Sequence, residues 1–184
     1  GYIDALVKAN RLTDAKQAIK KAKKKGFDAK KLLTLFSQSN WGSAIKMPSD
    51  KKIAGLLEHY QCGRLDVAEK LAVDITQEFP AHQVGWKVLG VIFQKTDRLN
   101  EALMPMQKSV EVAPQDVEAH NNLGVTLHEL RRFDEAEASY RKAIALKPSY
   151  AEAHCNLGLM LQDVYRFDEA EASYRKAIAL KPEY

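Results

Sequence analysis

The stretch RFDEAEASYRKAIALKP stands at Arg132–Pro148 and again, letter for letter, at Arg166–Pro182. The two copies lie 34 residues apart. The same offset aligns Pro80, Pro114, Pro148 and Pro182, and also Ala68, Ala102, Ala136 and Ala170. Gly90, Gly124 and Gly158 form a third column, each preceded by a leucine. A fixed period of this length means that one small unit is stacked on the next, each contacting only its neighbours. The frames are 49–82, 83–116, 117–150 and 151–184.

Each frame reads as two helices. In 117–150, His120, Leu123, Gly124 and Leu127 recur at the spacing of one helical face, predicting a first helix over 117–130. Ala136, Tyr140, Ala143 and Ile144 predict the buried stripe of a second, over 135–146. Asp134, with Glu137 three residues on, suggests a capping box at its start. Pro148 stops it, because proline lacks an N–H and disfavours helical geometry in the residue before it. Gly124, Ala136 and Ala143 mark close helix approach, with Tyr140 and Leu123 filling the space around them. A leucine at Ala136 would overpack, at about 1–3 kcal/mol. Pro105 falls inside the second helix of frame 83–116 and predicts a mild kink without a break.

These columns resemble the tetratricopeptide repeat (TPR) family. Its pattern places Trp, Leu, Gly and an aromatic in the first helix, then Ala, an aromatic and Ala in the second, then Pro. Frame 83–116 carries Trp86, Leu89, Gly90, Phe93, Ala102 and Pro114, with Met106 at the second aromatic position. The last two frames carry the Leu, Gly, Ala, Tyr, Ala and Pro columns but have His120 and His154 at the Trp position. Frame 49–82 departs most, with Leu56 where Gly is usual. The resemblance covers about 136 of the 184 residues and implies an all-α, right-handed solenoid of helix–turn–helix repeats.

Residues 1–48 differ in charge. They hold eleven Lys/Arg against three Asp, a net +8, whereas 49–184 carries −4. NRLTDAKQAIKKA (Asn10–Ala22) resembles the second helix of a degenerate repeat, and Ser39–Asp50 reads as a linker. The expected plan is a basic helical lead-in over 1–48 and four repeats over 49–184. The run KKAKKKGFDAKK (Lys20–Lys31) could attract nucleic acid or an anionic membrane surface. It has one aromatic and no arginine, so base stacking and bidentate readout are poorly supplied and nucleic acid is a weak fit.

Nothing in the sequence assembles a catalytic site. HExxH, paired CxxC, GxSxG and phosphate-loop motifs are absent. His120 and His154 read as packing residues, and Cys62 and Cys155 as two reduced thiols, in keeping with a cytoplasmic setting. No apolar run reaches the roughly 20 residues of a membrane-spanning helix. The expectation is a non-enzymatic chain without catalytic residues, metal or cofactor, binding a protein or peptide partner.

The family resemblance implies where such a partner lies: on the concave wall of first helices, at the second, fifth, sixth, ninth, twelfth and thirteenth frame positions. Second positions include Val84, Glu118 and Glu152, fifth positions Lys87 and Asn121, and sixth positions Val88, Asn122 and Asn156. Gln94, His128 and Gln162 are twelfth, and Glu129 and Asp163 thirteenth. Family members that clamp a carboxylate use cations where this chain has Glu118 and Glu152, so carboxylate capture is not implied. Asn122 and Asn156 resemble the asparagine ladder of O-linked N-acetylglucosamine transferase arrays, which holds a peptide by its backbone. An amide side chain offers both a donor and an acceptor to a peptide unit. Leu57, Val84, Val88 and Val91 make one end of the wall apolar, while Glu118, Glu129, Glu152 and Asp163 make the other acidic. An extended segment with an apolar and a basic part is the expected ligand.

The final repeat has the sequence of an internal one, so its apolar face calls for a cover. The sequence leaves two covers open: further repeats, as in the substrate-recognition array of a larger bacterial transferase, or self-association through the C-terminal repeat.

Overall fold

The computed structural model describes residues 47–182. The lead-in therefore falls almost wholly outside the described residues, including the helix expected at Asn10–Ala22 and the lysine run. The described helices are α1 (Asp50–Gln61), α2 (Leu65–Glu78), α3 (Gln83–Lys95), α4 (Leu99–Val112), α5 (Val117–Glu129), α6 (Phe133–Leu146), α7 (Ala151–Asp163) and α8 (Phe167–Leu180). There is no strand among the described residues. All eight helices belong to one unit, Pro48–Tyr184. Each helix packs on its sequence neighbour and first helices touch first helices, so the fold is an all-α solenoid of helical repeats.

The alanine and glycine columns set the spacing. Ala68, Ala102, Ala136 and Ala170 are all buried. A Cβ built on Gly124 would come within 2.6 Å of the Tyr140 ring, so the two helices of this pair meet where only glycine fits. Tyr140 is 1% exposed and fills that contact. Burial pushes its hydroxyl pKa well above the ordinary tyrosine value, with the nearby Glu129 charge adding to the rise. The apolar interior forms two clusters, one from Leu56 to Ala102 and one from Met106 to Ala170.

One local expectation changes. The capping box at Asp134 is not formed. Helix α6 begins at Phe133 with Arg132 at the cap position, and no side chain caps it. The chain reaches this helix through a left-handed residue that already satisfies the end of α5: Arg131 has φ 60°, and the Arg132 N–H donates to the Leu127 carbonyl at 2.8 Å. Gly63 (φ 72°), Asp97 (φ 59°) and Tyr165 (φ 62°) occupy the same place in the other frames. Only one of the four is glycine, so the usual signal for this geometry was missing from the sequence. The acidic residues go elsewhere. Arg132 binds Glu135 at 2.7 Å, while Glu137 pairs with Arg141. At Pro105, α4 runs unbroken from Leu99 to Val112.

Repeats are also tied to each other by polar links. Among the second helices, Arg98 reaches Glu69 at 2.8 Å and Arg166 reaches Glu137 at 2.6 Å, each spanning 29 residues. Arg132 stands at the equivalent place, but 29 residues before it is Leu103, and no such link forms. The Trp-position residues make a second set. Trp86 Nε1 donates to the Pro80 carbonyl at 2.9 Å. Nε2 of His120 and of His154 meets the carbonyls of Pro114 and Pro148 at 3.1 and 3.0 Å. Histidine replaces tryptophan here because its ring N–H can serve the same acceptor.

Candidate functional site

The first helices α1, α3 and α5 enclose a hollow of about 410 Å³. Leu57 and Tyr60 come from α1, and Val84, Val88 and Val91 from α3. Lys87, Gln94, Glu118 and Asn122 complete the lining. These positions meet because they recur on one face of consecutive first helices, three and four residues apart. The Lys95 ammonium lies 4.6 Å from the centre of the Tyr60 ring.

One flank of the hollow is tightly organised. Asp116 caps α5, accepting from the Ala119 N–H at 2.9 Å. It also accepts from Gln83 Nε2 at 2.7 Å and from Lys87 Nζ at 3.3 Å. Burial alone would raise the Asp116 pKa, but these hydrogen bonds and the Lys87 charge together hold it below the usual aspartate value. Lys87 also pairs with Glu118. Its charge is therefore shared between two carboxylates, and Glu118 keeps 59% of its side chain exposed. Gln94 Nε2 donates to Thr126 Oγ1 at 2.8 Å and to the Asn122 carbonyl at 3.1 Å.

The expected site residues divide. Lys87, Gln94, Glu118 and Asn122 come together around the hollow. Asn121 is 4% exposed, and its Oδ1 accepts from Asn156 Nδ2 at 3.0 Å. This second rung of the asparagine pair thus spends a donor on repeat-to-repeat contact. His128 Nε2 lies 3.0 Å from Asp163 Oδ2, which Arg131 also approaches at 3.5 Å. Gln162 accepts from the Tyr174 hydroxyl at 3.0 Å, and Glu152 from the Tyr150 hydroxyl at 2.6 Å. Glu129 stands exposed in the last turn of α5. Asp116 was not expected at the site. Asp116 had a signal, since an aspartate just before a helical run is a usual N-cap. Tyr60 stands at the twelfth position of frame 49–82, on the expected wall.

Among the described residues, no three His, Cys, Asp or Glu side chains gather where a metal ion could sit. No described helix is long and apolar enough to cross a membrane. Cys62 is exposed and Cys155 half-buried, both as free thiols.

A wall of first helices with an apolar hollow, held open by a column of second helices, defines a helical-repeat binding scaffold. Tetratricopeptide repeat models match residues 117–150 and 151–184. Residues 117–184 are thus two tetratricopeptide repeats, a kind of repeat that supports a protein-interaction scaffold. Among solved structures it is similar to a crystal structure of MamA, at 24% identity over 76% of this chain and 78% of that one, with a TM-score of 0.66. It is also similar to Pseudomonas aeruginosa PilF, at 23% identity over 73% of this chain and 62% of that one, with a TM-score of 0.66. A MamA RS-1 double mutant aligns over 95% of this chain and 96% of its own, at 18% identity and a TM-score of 0.68. At these identities the likeness is one of fold. No curated protein matches the chain in sequence.

Proposed function

We propose that the chain binds an extended segment of a partner protein in the concave groove of its first helices, as a non-enzymatic scaffold. The carrying observation is the hollow between α1, α3 and α5, which has an apolar floor and an acidic, half-free flank at Glu118. A bulky apolar side chain of the ligand fills the floor over Val84, Val88 and Val91. A neighbouring lysine or arginine faces Glu118 and, further along, Glu129, with Glu152 and Asp163 adding negative charge although they already accept from Tyr150 and meet His128 and Arg131. Asn122 supports the ligand backbone. Asn121, Asn156, His128 and Gln162 hold the wall in shape more than they touch ligand, because each is already engaged. In this plan residues 49–184 form the binding body, 1–48 precede it as a basic lead-in, and the setting is the bacterial cytoplasm.

Fluorescence anisotropy with labelled ten-residue peptides tests this. Peptides with one Leu or Phe followed by Lys or Arg are expected to bind about tenfold more tightly than versions with Ser or Glu at those places. Val88→Glu in the protein is expected to abolish the preference. Equal affinity for all four peptide types would remove the proposal.

A further inference from the structure

A cation that a ligand brings to Glu118 finds the place already taken. Lys87 Nζ pairs with Glu118 and also with Asp116, at 3.3 Å. Its side chain is 22% exposed and shares the lining of the hollow with Val84, Val88 and Val91. No other frame has a lysine at this fifth position, where Ile53, Asn121 and Cys155 stand instead. The two carboxylates that hold Lys87 differ. Asp116 is anchored, because it also accepts from the Ala119 N–H and from Gln83 Nε2. Glu118 meets Lys87 through Oε2 and keeps 59% of its side chain exposed, with room for a second donor. Lys87 can therefore give up Glu118 and stay paired with Asp116.

Resting on the groove binding proposed above, we infer that Lys87 is a specificity-determining residue, which admits arginine to Glu118 and turns lysine away. A ligand lysine offers the same compact ammonium as Lys87, so exchanging one for the other returns little. Lys87 also has the advantage of attachment, since a tethered group acts at a high effective concentration. A ligand arginine is different. Its planar fork meets both carboxylate oxygens through two parallel N–H bonds, which a single ammonium does not match. Lys87 then falls back on Asp116, whose hydrogen bonds keep it in place. The segment that fits is therefore an apolar residue followed by arginine.

The probes are two labelled ten-residue peptides, identical except for Arg or Lys after a Phe, titrated into the whole chain by fluorescence anisotropy. The wild type is expected to bind the Arg peptide about fivefold more tightly than the Lys peptide. Lys87→Met keeps the apolar stem and removes the ammonium. It is expected to tighten the Lys peptide about tenfold and the Arg peptide about threefold, narrowing the preference to less than about twofold. Lys87→Gln gives the same readout if circular dichroism shows that the methionine variant does not fold. Glu118→Gln is expected to weaken both peptides and to abolish the preference. Lys95→Met removes the same charge about two turns further along α3, beside Tyr60, and is expected to affect both peptides equally. That separates occupancy of Glu118 from overall charge. Equal wild-type affinity for the two peptides overturns the role of Lys87. So does an arginine preference that survives Lys87→Met unchanged, or one that Lys95→Met narrows as much. Failure of groove binding itself is distinct: replacing the Phe by Ser then leaves both affinities unchanged, which overturns the two together.

Discussion

Helices α6 and α8 have the same fourteen residues and different surroundings. In α6 Tyr140 is 1% exposed, while Tyr174 in α8 is half-buried and turns its hydroxyl to Gln162. The alanine column is buried in both, because it faces the helix of its own pair. The aromatic and isoleucine positions, and the glutamate at the edge, depend on the next repeat. Helix formation here is therefore a local matter, whereas the energy a side chain contributes is set one repeat away.

The largest expected contrast is at the tyrosines. Tyr140→Ala should cost about 3–4 kcal/mol, as large-to-small changes in a closed core do. Tyr174→Ala should cost roughly 1 kcal/mol, since half of its burial is missing. Urea melts followed by circular dichroism would show this, and equal losses would break the comparison. The glycines come next. Gly124→Ala drives a methyl into a Tyr140 ring that has no free side, and should cost about 1–2 kcal/mol after the helix gains from alanine. Gly158→Ala meets Tyr174 at 2.8 Å, but that ring can shift outward, so the change should be near neutral.

Glu137 should shape the response to acid. Hydrogen bonds from Arg166, then from Arg141, hold the Glu137 carboxyl below the usual glutamate range. Its contribution is thus present above the unfolded-state value and is lost as pH falls through the lower folded value. Glu137→Gln should lower neutral-pH stability by about 0.5–1 kcal/mol, as for a partly exposed pair, and flatten the decline below pH ~4.5. Melts from pH 7 to pH 3 on the wild type and the variant would show the flattening. His120 adds a milder dependence. Burial is the main cause of its lowered pKa, so stability is full above the unfolded value and falls as pH drops below ~6.5. His120→Trp keeps the donor to Pro114, as Trp86 does for Pro80, and should reduce that loss between pH 7.5 and pH 5.5. The smallest effect should be the same in both copies. Arg131→Gly and Tyr165→Gly each relieve a left-handed residue and should add about 0.5–1 kcal/mol, because this strain belongs to the turn and not to its neighbours.

The period and the alanine and glycine columns carried the fold in plain view, since the alanine contact recurs in all four frames and the glycine contact in three. The turn geometry was not legible, because Asp97, Arg131 and Tyr165 hold a conformation usually signalled by glycine. At the site, the apolar positions Val84, Val88, Val91 and Leu57 could be found from helical spacing. The polar ones could be placed on the wall, but not assigned to ligand or to scaffold. That assignment depends on partners some 28 to 35 residues away, such as Asn121 for Asn156 and Asp163 for His128. No local pattern encodes them.

The leucine at position 103 has a mechanical consequence. The junction between α3–α4 and α5–α6 is fastened along its inner wall by Gln83, Lys87 and Gln94, and lacks the arginine clip that its two neighbours have along their second helices. A stack of plates fastened along one edge bends about that edge. Opening this junction on its outer side breaks no ion pair among the described residues, whereas opening the first junction breaks one and opening the last breaks two. The softest deformation of the solenoid is therefore an inward curl, which tightens the wall around whatever lies between α1, α3 and α5.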